Sequence, residues 1–128
     1  MERRIMNDDM FQKVMDVLID YLPEGWKKTV FYAGYAEGSY TMKFFYFDQT
    51  DVFVDCFNKY DDDILDDLFD SIDSIILQER KLLTEKHKWN SMTMVVTNDG
   101  KMNCDYDYDD IFDTIGDNYS EWKKKYLE

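Results

Sequence analysis

The 128-residue sequence contains one histidine, one proline, two cysteines and five glycines, and each scarcity removes a class of function. General acid–base or nucleophilic catalysis needs a nucleophile beside a base, or two groups of separated pKa. The lone His87 sits in the Lys-rich stretch Glu85-Lys86-His87-Lys88 and reads as a surface residue closing a helix. Cys56 and Cys104 form no CxxC pair and have no second histidine for company, so neither a zinc site nor a Cys/His dyad is supported. They read as small buried hydrophobes in a reducing compartment. Gly34 and Gly38 belong to no GxxxxGK[ST] or strand-linked GxGxxG pattern, which leaves nucleotide binding without a basis.

Long apolar runs are also absent, and none approaches the roughly 20 residues a membrane span requires. Arg3 and Arg4 are followed by Asn7, Asp8 and Asp9 where a signal peptide would need a continuous apolar segment, so a cytoplasmic protein is expected. No Pro/Gly-rich linker, low-complexity tract or repeat interrupts the chain. With 45% apolar residues, the length suits one domain over residues 1–128 with a substantial core.

What the sequence has in excess is aspartate. The net charge is −13, and 21 of the 28 acidic residues are Asp. Residues 61–73 hold seven aspartates and residues 105–117 hold six, neither window containing a base, while 15 acidic and 15 basic residues balance in the remainder. Such a surface repels nucleic acid and anionic membranes, because phosphate binding relies on Lys and Arg to displace counterions. A charged partner should be basic.

The hydrophobic pattern predicts an α+β fold: a five-stranded antiparallel sheet with N-terminal, long central and C-terminal helices. Met10, Phe11, Val14, Val17, Leu18, Tyr21 and Leu22 recur at helical spacing, with Asn7 as the expected cap and Pro23 as the stop. Residues 26–57 read as three strands turning at Glu37-Gly38-Ser39 and Asp48-Gln49-Thr50. The second of these, apolar on both faces at Phe44 to Phe47, is expected at the centre. Residues 61–87 read as the long helix. Ile64, Leu65, Leu68, Phe69, Ile72, Ile75, Ile76, Leu82 and Leu83 fall on one side of it, and Asp62, Asp63, Asp66, Asp67, Asp70 and Asp73 fall opposite. A hairpin turning at Asn98-Asp99-Gly100 follows, with Met102, Cys104, Tyr106 and Tyr108 on its inward face, and then a short helix whose Trp122 and Tyr126 dock on the sheet.

The abundance of carboxylates singles out no acid–base pair for glycosidase chemistry. An EF-hand loop begun at Asp105 places Asp107 and Asp109 correctly, but Asp110 stands where glycine is needed and Gly116 where glutamate is needed. No metal, cofactor or catalytic residue is therefore expected. The helix dipole accounts for aspartates in the first turn of the long helix but not for Asp70 and Asp73, and aspartate is a poorer helix former than glutamate. The ridge is read as a binding surface in preference to a solvated face.

Several segments, in order along nearly the whole chain, resemble the YezG/EsaG family of bacterial immunity proteins. They are Leu22-Pro23-Glu24-Gly25-Trp26, Tyr32-Ala33-Gly34-Tyr35-Ala36-Glu37-Gly38-Ser39 with Phe44-Phe45-Tyr46-Phe47, the acidic helix and Trp89. Asn98-Asp99-Gly100-Lys101, Asp105-Tyr106-Asp107-Tyr108-Asp109 and Trp122-Lys123-Lys124-Lys125-Tyr126-Leu127 complete the series. The resemblance implies a non-enzymatic antitoxin that neutralises the toxin domain of an LXG-type or type VII-secreted effector, typically a nuclease. Geometry, not the resemblance, nominates the partner-facing residues: Asp62, Asp63, Asp66, Asp67, Asp70 and Asp73, the edge formed by Asp105, Asp107, Asp109 and Asp110, and Tyr35 or Tyr40 as an exposed aromatic anchor. A monomer is expected. The alternatives are an acidic adaptor for another basic protein and a divalent-cation module.

Overall fold

The computed structural model describes residues 2–36, 39–50, 52–81, 90–107 and 119–127. The chain is α+β, and its contacts divide it into two compact units: a helical unit of residues 1–24 and 60–88, and a sheet unit of residues 25–59 and 89–128.

In the helical unit, α1 (Glu2–Leu18) tightens into a 3-10 turn, Ile19–Tyr21, which closes with Leu22 N–H donating to the Ile19 carbonyl at 3.1 Å. Leu22 leaves the turn extended, at φ −94° and ψ 137°, as the residue before a proline must. Pro23 thus ends the helix as expected, but Asn7 does not begin it. Glu2, Arg3, Arg4 and Met6 are themselves good helix formers, and the helix runs through Asn7 from Glu2. Met10, Phe11, Val14, Met15 and Leu18 are buried along one stripe of α1, which packs against α3 (Asp62–Lys81).

The sheet unit contains β1 (Lys28–Ala36), β2 (Ser39–Phe47), β3 (Phe53–Asp55), β4 (Ser91–Thr97) and β5 (Met102–Asp107), all antiparallel in the order β3-β2-β1-β4-β5. The central strand is β1 and not β2. The short β3 takes the outer side of β2, with Phe47 opposite Phe53 and Phe45 opposite Asp55, so the later hairpin adds to the remaining side of β1. Val30, Phe31, Tyr32, Ala33 and Tyr35 are accordingly buried on both faces of β1. A one-turn helix, α2 (Cys56–Lys59), follows β3 and has no counterpart in the sequence reading.

Two turns owe their form to aspartate. The Asp48 carboxylate accepts hydrogen bonds from Thr50 N–H at 2.8 Å and from the Thr50 hydroxyl. In the β4–β5 hairpin, Gly100 N–H donates to the Thr97 carbonyl at 3.0 Å and Gly100 adopts φ +93°. This is the three-residue loop with a left-handed glycine that fits antiparallel strands, and a side chain there would be strained although nothing crowds the position. Asp99 accepts from the Thr97 hydroxyl and from Lys101 N–H, interactions that hold its carboxyl below the usual carboxylate range.

The C-terminal helix α4 (Tyr119–Tyr126) docks through its aromatics as expected. Trp122 meets Tyr32 edge-on at 6.0 Å and lies 5.5 Å from Phe45, within a core cluster that includes Val30 and Leu127. Its indole Nε1 donates to the Thr93 hydroxyl at 3.0 Å, so a buried donor and a buried hydroxyl satisfy each other. Lys123, Lys124 and Lys125 fall in the last turn of α4, where the helix dipole favours cations. On β5, Cys104 and Tyr106 are half-buried on the inward face, but Met102 is 39% exposed, because it lies beside the hairpin turn on a strand at the end of the sheet.

Candidate partner-binding site

The sequence of α3 separates charge from apolar mass at helical spacing, and the fold preserves that separation. Leu65, Leu68, Phe69, Ile72 and Ile76 are buried. Asp62, Asp63, Asp66, Asp67 and Asp70 are exposed and Asp73 is half-buried; Asp63, Asp66, Asp67 and Asp70 line the side away from the core, while Asp62 and Asp73 flank the apolar stripe. Asp62, Asp63, Asp66 and Asp67 form no ion pair with any described residue. Asp62 and Asp63 gain from the helix N-terminus. Like charges three and four apart, such as Asp63 with Asp66 and Asp67, each cost about 0.2–0.5 kcal/mol. Stability alone does not select this ridge. Ile64, placed on the buried side from sequence, is instead 42% exposed, since it lies 100° around the helix from Leu65, at the margin of the apolar stripe.

The second acidic window has a different local environment. Asp105 is exposed on β5, yet its carboxylate accepts the Tyr126 hydroxyl at 2.6 Å and lies 3.7 Å from Lys125 Nζ. It therefore helps hold α4, a role no local sequence signal could reveal because its partners lie some twenty residues away. Burial and the adjoining Asp105 carboxylate push the Tyr126 hydroxyl pKa upward. Asp107 ends β5 opposite Ser91, and Asp109 and Asp110 lie outside the described residues. Of the two tyrosines expected as exposed anchors, Tyr35 is buried at 6% exposure and Tyr40 is half-buried. Cross-strand pairing places their rings 6.2 Å apart, and the central position of β1 buries Tyr35.

Neither cysteine is set up for chemistry. Burial pushes the Cys56 and Cys104 thiols up to about 12. A thiol so placed is protonated at neutral pH and is neither a nucleophile nor a metal ligand in that form. Both should resist iodoacetamide at pH 8 in the native protein and react fully in urea, as read by mass spectrometry. Since the folded pKa values lie above the unfolded ones, the associated stability is complete below pH ~9 and declines as pH rises toward 12. His87 lies outside the described residues. Among those residues no group of three or more His, Cys, Asp or Glu side chains is placed to hold a metal ion, and no helix is long and apolar enough to cross a membrane.

A five-stranded antiparallel sheet with an aromatic core and a long helix with exposed aspartates define an α+β protein. The chain belongs to the YezG-like immunity protein family, whose family model matches residues 7–128, nearly the full length. No curated protein matches the chain.

Proposed function

We propose that this immunity protein is an antitoxin for a basic nuclease toxin of the LXG-type or type VII-secreted class, acting in the cytoplasm by occupying the cationic surface with which the toxin grips DNA. The supporting observation is the α3 ridge: five exposed aspartates along one side of a helix, four of them without an ion-pair partner among the described residues. Opposite fields accelerate encounter and reject partners of the wrong charge. Family membership supplies the coarser half of this reading, because an immunity protein works by binding a cognate toxin. Inhibition then needs no catalytic group and no cofactor in the chain. The Asp105 edge is a secondary contact in this reading, to which Asp107, Asp109 and Asp110, next in the sequence, are assigned as well.

The test uses the cognate toxin domain, purified in a form whose activity can be measured. A one-to-one complex on size exclusion is expected, together with loss of DNA cleavage. Its association rate should fall steeply between about 50 and 500 mM salt as the Debye length shortens. A complex that forms equally fast at both salt concentrations would exclude charge-led recognition.

A further inference from the structure

Isoleucine exposed among aspartates is an uneconomical way to build a solvated helix end, and the helical unit does so twice at one end. Ile19 in the 3-10 turn is 47% exposed and Ile64 in the first turn of α3 is 42% exposed. They are brought to the same end by a tyrosine clamp. The Tyr60 hydroxyl donates to the Tyr21 carbonyl, and the two rings meet edge-on at 5.9 Å. This fixes the turn that carries Ile19 beside the segment that opens α3. Asp67 lies three residues along α3 from Ile64, Asp61 immediately precedes the helix, and Asp20 follows Ile19. All three aspartates are exposed.

Charge alone gives rapid encounter but little residence time, whereas an apolar anchor desolvated inside a polar rim slows dissociation. We propose that this end of the helical unit is the anchoring contact with the toxin: Ile19 and Ile64 enter an apolar depression, and Asp20, Asp61 and Asp67 meet basic residues around it. The inference rests on the reading of the chain as the partner of a basic toxin, and it centres the contact at the end of the helical unit, beside the ridge. It also replaces Tyr35 as the anchor, since that ring is buried. The occupant is a cationic protein surface, because a second copy of this −13 chain would bring aspartates against aspartates.

The deciding experiment measures Kd and off-rate for the same toxin domain against the full chain, Ile64→Ala, and the double variant Ile19→Ala/Ile64→Ala. Alanine is the better helix former at Ile64 and both sites are half-exposed, so folding should survive; thermal melting checks it. The double variant should weaken binding by about 30-fold, mostly through the off-rate, and leave the salt dependence as in the parent because no charge has changed. Ile64→Ala alone should account for roughly 5-fold. A Kd within about threefold of the parent for the double variant, while removal of ridge charge still weakens binding, would overturn the anchor and leave the functional reading standing. No response to either kind of variant would overturn both.

Discussion

Replacing Asp63, Asp66 and Asp67 by lysine is expected to raise the Kd for the toxin domain by about 100-fold or more while leaving the protein folded. Each of the three side chains is exposed and has no ion-pair partner among the described residues, so reversal breaks no salt bridge described in the structure. Lysine is the better helix former at Asp66 and Asp67, which offsets the N-terminal interaction lost at Asp63. The loss should be largest at low salt and shrink as salt rises, because the interaction removed is the screened one. The neutral variant Asp66→Asn/Asp67→Asn sharpens the test. It relieves repulsion with Asp63 and Asp70, so its melting temperature should match or exceed that of the parent even as binding weakens. Calorimetric titration and thermal melting on the same samples would separate these effects. Unchanged affinity in the lysine variant would make the ridge a hydration feature and remove the proposed interface.

A comparably large effect is expected at the opposite kind of site, where nothing faces a partner. Trp122→Ala should cost about 3–5 kcal/mol, read from urea denaturation, because it empties the centre of the cluster formed with Val30, Tyr32, Phe45 and Leu127. Trp122→Phe retains much of the apolar packing but leaves the buried Thr93 hydroxyl without its indole donor, at a cost of about 1–3 kcal/mol. Asp105→Asn keeps an acceptor for the Tyr126 hydroxyl and gives up an exposed contact with Lys125, so it should cost under about 1 kcal/mol. A Trp122→Ala protein as stable as the parent would mean that α4 contributes little to the sheet unit. The contrast between Trp122 and Asp105 also guards the functional experiments. Reversing Asp105 disturbs α4 as well as surface charge, which makes α3 the cleaner place to probe recognition.

Local chemistry alone determined much of this protein. The periodicity of α3, the stop at Pro23 and the Asn98-Asp99-Gly100 hairpin all follow from spacing, backbone restriction or turn preference, which act over a few residues and can be read along the chain. The aspartate ridge was legible for the same reason: once a helix is granted, its period places each side chain. Tertiary structure decided the rest. Which strand lies at the centre depends on where the second hairpin adds, a contact some sixty residues away in sequence, and that choice buries Tyr35. Asp105 reads along the chain as surface charge, and only the return of Tyr126 and Lys125 onto it gives it a second, structural role. Ile64 looked like core until the packed stripe proved narrower than the apolar pattern allowed. Pattern specifies the face on which a side chain lies, but only packing among distant segments decides whether that face is covered.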